Sequence, residues 1–222
     1  MKVVEIFDSI DGEGIRTGLP VSFVRLAGCN LRCSYCDTLY SLFGEKEECV
    51  YEEMTKEEII SRLNKSYMRV TLTGGEPLIA DGVKDLISAM AEAGFEINIE
   101  TNGAADISEI LPIENVFFTI DYKLPTSGLE EKMLWENFLK LRPCDVVKFV
   151  VGSDEDVEVM LSVVKKMKEH YKVMPQLFVG AVYGMYENDR LVDVIMNTPE
   201  LSDARIQIQL HKIIWNPEKR GV

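Results

Sequence analysis

The chain reads as α/β, an incomplete βα barrel of the TIM type with about six mostly parallel strands, and three observations lead there. Strand-like apolar runs alternate with helix-like stretches for almost the whole length. At 222 residues the chain falls short of the roughly 250 that a full eightfold barrel takes. The polar signatures fall just after strands, on the rim where βα barrels and open α/β sheets both carry their sites. A doubly wound open sheet is the alternative. Residues 1–222 are read as one domain, because no low-complexity linker or compositional break divides them.

Residues 21–27 make a strand that delivers the chain to Cys29-Asn-Leu-Arg-Cys33-Ser-Tyr-Cys36. Thr55-Lys-Glu-Glu58 has the spacing of a capping box, and Ile59, Ile60 and Leu63 form the apolar face of the helix it opens. A strand over 68–73 ends in Gly74-Gly75-Glu76-Pro77. The glycines let backbone approach a ligand closely. Glu76 is an acceptor suited to a ligand ammonium group, against the plainer alternative of a helix-start carboxylate. Val83, Leu86, Ile87, Met90 and Ala93 recur at helical spacing, and Gly94 closes that helix. Strands over 96–100 and 116–120 end at Thr101-Asn102-Gly103 and Asp121-Tyr122-Lys123. A helix over 130–141, a strand over 145–151 and a helix over 154–171 follow, the last with Val157, Leu161, Val164 and Met167 inward. Strands over 176–182 and 205–210 flank a helix over 188–196.

Lys and Arg total 24 against 37 Asp and Glu, a formal net charge of −13. With no clustered basic face, direct nucleic-acid binding is excluded. No apolar run approaches the roughly 20 residues of a membrane span, so the expected partner is a small molecule. Five cysteines is an odd number and no signal peptide opens the sequence. Both point to the reducing cytoplasm, where close-set cysteines are metal ligands rather than disulfides. Cys49, in an acidic stretch over 45–53, and Cys144 are left as bystanders.

Cys29, Cys33 and Cys36 are spaced so that three thiolates converge from one loop. Iron–sulfur cubanes normally take four thiolates, so three leave one iron open for chemistry. A structural zinc site of Cys29, Cys33, Cys36 and Cys49 is the alternative. Zinc sites usually add a second Cys or His pair, however, and His170 and His211 lie far off in sequence.

Cys-x3-Cys-x2-Cys on the first strand–helix loop, with Gly-Gly-Glu-Pro after the second strand, resembles the radical S-adenosylmethionine (SAM) superfamily. The resemblance implies a radical SAM core in which Cys29, Cys33 and Cys36 bind a [4Fe–4S] cluster. Its fourth iron chelates the methionine amine and carboxylate of SAM, and reductive cleavage releases a 5′-deoxyadenosyl radical. A narrower resemblance runs from residue 5 to the end. Glu5-Ile-Phe-Asp-Ser-Ile-Asp-Gly-Glu-Gly14, Phe23-Val-Arg-Leu-Ala-Gly-Cys29, Cys36-Asp-Thr38, Lys148-Phe-Val150 and Gln209-Leu-His-Lys212 are together similar to the 7-carboxy-7-deazaguanine synthase family. That family contracts the ring of 6-carboxy-5,6,7,8-tetrahydropterin with loss of ammonia, on the way to queuosine and other 7-deazapurines.

The family match also implies roles for individual residues. Asp11, Gly12, Glu13, Arg25, Thr73 and His211 fall on the substrate side. A carboxylate there accepts from the guanidine-like edge of the pterin, and a guanidinium pairs with its carboxylate. Gly74, Gly75, Glu76, Glu100, Thr101, Asn102, Asp121 and Lys123 hold the amine, ribose or carboxylate of SAM. The Thr38 hydroxyl helps bind Mg²⁺, a hard cation suited to oxygen ligands; read without the family, Thr38 caps its loop. A flavodoxin-like or other reductant and a homodimer complete the expectation.

Asp11 stands where many members have Gln, and Asp121-Tyr122-Lys123 where many have Ser-Pro-Lys. The helix expected beside the cluster is shortened, since 38–51 is polar and acidic. Ser9-Ile-Asp-Gly-Glu-Gly-Ile-Arg16 also resembles the opening of glycyl-radical-activating enzymes, the nearest rival, but no extra ferredoxin-like cysteine set is present. Whether Lys219-Arg220 closes over the site stays open.

Overall fold

A computed structural model describes residues 1–44, 49–217 and 219–222. Part of the acidic stretch around Cys49, and with it part of the shortened helix expected over 38–51, lies outside the described residues. The strands are β1 (Lys2–Ile10), β2 (Pro20–Leu26), β3 (Glu52–Glu53), β4 (Arg69–Gly74), β5 (Glu96–Thr101), β6 (Val116–Tyr122), β7 (Val146–Val151), β8 (Gln176–Ala181) and β9 (Arg205–Gln207). The helices are α1 (Lys56–Arg62), α2 (Val83–Glu92), α3 (Trp135–Phe138), α4 (Asp154–His170), α5 (Asn188–Asn197) and α6 (Leu210–Ile214). No helix among the described residues is long and apolar enough to cross a membrane.

Among the described residues one sheet runs in the order β3-β1-β2-β4-β5-β6-β7-β8-β9. From β2 through β9 the pairing is parallel, giving seven parallel strands against the about six expected. β1 and β3 add an antiparallel edge that the sequence reading lacked. The two outer strands, β3 and β9, do not pair, so the barrel stays open. Each parallel crossover steps one place in the same direction. A doubly wound sheet would reverse at a switch point, so that alternative is overturned. Right-handed crossovers in one direction put every helix on one face and leave the other face as an interior.

Strand sequences divide accordingly. Val70 and Leu72 on β4, Ile97 and Ile99 on β5, Phe118 and Ile120 on β6, and Val147 and Phe149 on β7 join one buried apolar core. Ile59, Leu86, Met90, Met160 and Val164 from the helices complete that core. The alternate residues Thr71, Thr73, Asn98, Glu100, Thr119, Asp121 and Lys148 face the interior and make it polar.

Local chemistry sets most element ends. Thr55 and Glu58 form the expected reciprocal capping box at α1. Ser153 caps α4 by accepting from the Asp156 amide. On α4, Val164 and Met167 are buried as expected, whereas Val157 and Leu161 are only partly covered and Met160 and Val163 take the central positions. The helix expected over 130–141 is a 3-10 turn, Glu130–Lys132, followed by the four-residue α3. Continuation is prevented because the Leu134 amide donates to Gly103 O at 3.2 Å and the Asn137 amide group donates to Gly103 O and Ala105 O. The last expected strand stops at Gln207, since β8 offers no partner beyond Gly180, and the chain turns into α6.

Candidate active site

The C-terminal ends of the parallel strands open onto a cavity of about 820 Å³, a size usual for cofactor and small-molecule sites. Cys29, Cys33 and Cys36 line it from the loop after β2. The Cys36 amide donates to Cys33 O at 3.3 Å, folding the loop back on itself. Cys29 Sγ accepts from the Leu31 amide at 3.4 Å and from Asn102 Nδ2 at 3.6 Å. Burial pushes the Cys29 and Cys33 thiols up, so a metal taken up here must displace their protons. Cys49 and Cys144 do not line the cavity, so the four-cysteine zinc set is not assembled. Among the described residues no three His, Cys, Asp or Glu side chains are grouped as ligands of one ion. Three thiols on one wall, each available to a separate iron, fit a cluster.

Gly74 and Gly75 line the cavity too, but their missing side chains serve the cysteine loop. A Cβ on Gly75 would stand 2.3 Å from Gly28 O and 2.7 Å from Cys29 Cβ, and one on Gly74 would stand 2.2 Å from Leu26 O. The Glu76 amide donates to Gly28 O at 2.8 Å, fastening the end of β4 to that loop. The Glu76 side chain does not face a ligand. It is fully buried behind the wall, accepting from the Leu78 amide at 3.1 Å, the Thr101 hydroxyl at 2.8 Å and the Asn102 amide at 2.7 Å. Burial pushes its carboxyl up to about 7 despite these donors. Asn102 passes the linkage on, donating to Asn30 Oδ1 at 2.8 Å as well as to Cys29 Sγ.

A chain of buried charge crosses the interior below. Lys148 Nζ lies 2.5 Å from Glu13 Oε2 and 3.4 Å from Asp121 Oδ1, and Lys123 Nζ lies 2.6 Å from Asp121 Oδ2. Burial opposes the charge on Lys148, but Asp121, Glu13 and Glu100 hold its ammonium well above the usual lysine range. Burial likewise works to raise Asp121, and Lys123 with Lys148 overcomes it and keeps that carboxyl low. Glu100 also feels the Lys148 ammonium, but less than burial opposes its charge. Burial pushes it up to about 7, with a hydrogen bond from Thr73 acting the other way.

On the opposite side Arg25 Nε donates to Glu5 Oε1 at 2.7 Å, and the Tyr40 hydroxyl donates to the same oxygen at 3.0 Å. Thr38 caps no backbone amide; its Oγ1 lies 3.7 Å from Cys36 Sγ, facing the cavity. His211 comes from α6 rather than from the last strand. It sits against Gly12, where a Cβ would approach its Nδ1 to 3.2 Å, and burial lowers its pKa. Gly12, Glu13, Arg25, Thr38, Thr73 and His211 thus share the cavity with the cysteines, Glu100, Thr101, Asn102, Asp121 and Lys123.

Asp11 does not. It is 1% exposed and receives Arg16 Nε at 2.9 Å and the Thr71 hydroxyl at 3.1 Å. Arg16 also donates to Val70 O and Glu96 O, at the N-terminal ends of β4 and β5, so the pair closes the floor of the interior. Asp11→Asn is therefore expected to cost about 1–3 kcal/mol, because the buried Arg16 guanidinium keeps only the half-exposed Glu96 as a charged partner, and to leave substrate KM near wild type. Urea unfolding alongside steady-state kinetics checks both, and a raised KM with unchanged stability would return Asp11 to the substrate.

Lys148, Glu5 and Tyr40 were missed as site residues. Lys148 carried a signal, as one lysine inside the apolar run Val146–Val151. Glu5 opens a stretch that carries the family resemblance, but it was given no role because β1 was not recognised as a strand.

Residues 23–198 match the Radical SAM superfamily. A 7-carboxy-7-deazaguanine synthase of Clostridium acetobutylicum is 41% identical over 224 residues, covering 100% of this chain and 99% of that protein. One of Methanospirillum hungatei is 38% identical over 221 residues, covering 98% of this chain and 86% of that protein. Among solved structures, the crystal structure of QueE from Escherichia coli superposes with a TM-score of 0.71 at 23% identity, covering 92% of each chain, a likeness of fold. These relatives separate the chain from the glycyl-radical activators that its opening also resembles. By sequence over its full length and by fold, this chain belongs to the radical SAM superfamily and, within it, to the 7-carboxy-7-deazaguanine synthase family.

Proposed function

We propose that the chain converts 6-carboxy-5,6,7,8-tetrahydropterin to 7-carboxy-7-deazaguanine with loss of ammonia. The observation that carries this reading is the shared cavity: three thiols open onto the same space as a carboxylate, guanidinium, hydroxyl and imidazole set. Cys29, Cys33 and Cys36 would hold the [4Fe–4S] cluster, which with SAM supplies the radical that starts the rearrangement.

The chain's own residues bind and orient. Gly74, Gly75, Thr101, Asn102, Asp121 and Lys123 are assigned to SAM, with Glu76 as a positioning residue acting through Thr101 and Asn102. Glu13 and Glu100 accept from the donor edge of the pterin. Lys148 holds the Glu13 carboxylate in place through their ion pair, Thr73 orients Glu100, and Arg25 takes the substrate carboxylate. His211, neutral because it is buried, closes against Gly12.

Anaerobic incubation of the reconstituted chain with SAM, a low-potential reductant, Mg²⁺ and the carboxypterin should yield carboxydeazaguanine by mass spectrometry. SAM cleavage without that product would refute the substrate assignment.

Thr38 is assigned to Mg²⁺, supported by its uncapped hydroxyl facing the cavity. Thr38→Ala should raise the Mg²⁺ concentration for half-maximal turnover about tenfold with iron content unchanged; an unaltered Mg²⁺ response would remove Thr38 from the site. A flavodoxin-like reductant, a cytoplasmic setting and a homodimer complete the proposal. Exposed Val192 and Met196 on α5 and Ile213 and Ile214 on α6 support the dimer.

A further inference from the structure

We propose that Arg220 and Arg25 form a two-guanidinium clamp for the carboxylate of the substrate, with the Tyr40 ring as their shared platform. The clamp rests on the carboxypterin reading above and adds a binding residue from the C-terminal segment. Pro217, Lys219, Arg220 and Gly221 line the same cavity as the three cysteines and Thr38. The Arg220 guanidinium carbon lies 3.9 Å from the centroid of the Tyr40 ring, and that of Arg25 lies 5.8 Å from the same centroid. One aromatic side chain on the cluster loop thus brings together a cation from β2 and one more than a hundred residues away.

Of the two cations only Arg25 touches a counter-ion. Glu5 receives Arg25 Nε and the Tyr40 hydroxyl on the same oxygen. Among the described residues Arg220 makes no ion pair or hydrogen bond; its contact is the ring. A guanidinium stacked on an aromatic face keeps its in-plane N–H donors open, the geometry that meets a carboxylate bidentately. Arg25, held through Nε, also keeps its two terminal amino groups for a ligand. One carboxylate against two guanidinium groups leaves this wall positive, in a chain whose net charge is −13.

The rest of the cavity explains why a positive wall matters. Elsewhere in the cavity three carboxyl groups, Glu13, Glu100 and Asp121, stand against two ammonium groups, Lys148 and Lys123, so an anionic ligand is favoured at the Tyr40 side. A ligand with a carboxylate at one end and a guanidine-like donor edge at the other is oriented by that polarity alone. A carboxypterin is built this way. α6, which precedes Arg220 in the chain, is tied to the cluster loop, since Lys212 Nζ lies 3.4 Å from Asp37 Oδ2.

The test is equilibrium binding of pterin-6-carboxylate and pterin-6-carboxamide by calorimetry on the cluster-reconstituted chain without reductant. Wild type is compared with Arg220→Gln and Arg220→Lys, each first shown to carry wild-type iron. Wild type should prefer the carboxylate. Arg220→Gln should lose about ten- to a hundredfold of carboxylate affinity, the worth of a charged hydrogen-bonded pair, and little affinity for the carboxamide. Arg220→Lys should recover part of the preference. Unchanged carboxylate binding in Arg220→Gln, or equal loss for both ligands, would overturn the clamp; the second result would make the segment a mere cover. The wild-type turnover assay runs in parallel. Intact carboxylate selectivity with no product would sink the assigned reaction and spare the clamp.

Discussion

Gly75→Ala is expected to leave the sheet folded and to strip the chain of its cluster. The backbone at Gly75 is one that any residue adopts, so the effect is purely one of contact. The added carbon would meet Gly28 O at 2.3 Å and Cys29 Cβ at 2.7 Å. Non-bonded carbons rest at about 3.5–4.0 Å, and neither neighbour is the end of a flexible side chain that could rotate away. The loop must therefore move by about 1 Å at its first thiol, enough to spoil a site that needs its ligands placed to within about 0.5 Å. Iron and sulfide per chain after anaerobic reconstitution, with the far-ultraviolet circular dichroism, give the readout. Gly82→Ala is the control: Gly82 has φ of 78° and open space around its Cβ position, so it bears only backbone strain. It should lose about 1 kcal/mol and keep its iron. Wild-type iron in Gly75→Ala would show that the loop tolerates displacement and that the cluster does not need the missing side chain.

Much of this was legible in the sequence, and the part that was not has a physical pattern. The parallel strands were found because each is a short apolar run bounded by turn residues and helix caps. Their inner face was also written there but went unread. Val70-Thr71-Leu72-Thr73, Ile97-Asn98-Ile99-Glu100 and Phe118-Thr119-Ile120-Asp121 alternate strictly. Parallel strands covered by helices on both faces read as continuous apolar runs. Alternation in parallel strands thus announces a polar interior, and it favours the open barrel over the doubly wound sheet before any coordinates exist.

Other features lie beyond local sequence. Asp11 is a floor residue because Arg16 happens to reach Val70 O and Glu96 O, contacts that join residues more than fifty positions apart. The helix expected over 130–141 had adequate periodicity and lost to Gly103, a partner in another loop. Most of the site residues implied by the family match line one cavity. Their division between the cavity and its supports, Glu76 and Asp11 being supports, needed the tertiary path.

Lys148→Met should show how far that polar interior depends on one cation. The ammonium stands between Glu13 and Asp121 with its side chain 14% exposed, so its removal takes the close cation from Glu13 and leaves Asp121 with Lys123 alone. Breaking such a pair costs about 3–5 kcal/mol, and loss of the contact that places Glu13 should lower kcat/KM about a hundredfold, equivalent to about 2.7 kcal/mol of transition-state binding. The pH dependence separates charge from packing. In the native chain Asp121 is held below its ordinary 3.8 and Lys148 well above 10.5. The stability from Asp121 is present above 3.8 and is lost as pH falls through its lowered folded value. That from Lys148 is present below 10.5 and is lost as pH rises through its raised folded value. Both contributions are therefore in force across the neutral range.

In the Met variant Asp121 rises from its lowered value, and Glu100, already at about 7, rises further. The folded state then binds more protons than the unfolded one, so stability falls as pH increases. The deficit against wild type should be largest near about pH 8 and should shrink towards about pH 5, where protons do the work of the missing ammonium. Urea-unfolding free energies at the two pH values measure it. An equal deficit at both would mean that methionine simply packs badly, and that the carboxylates of the site are kept charged by something other than Lys148.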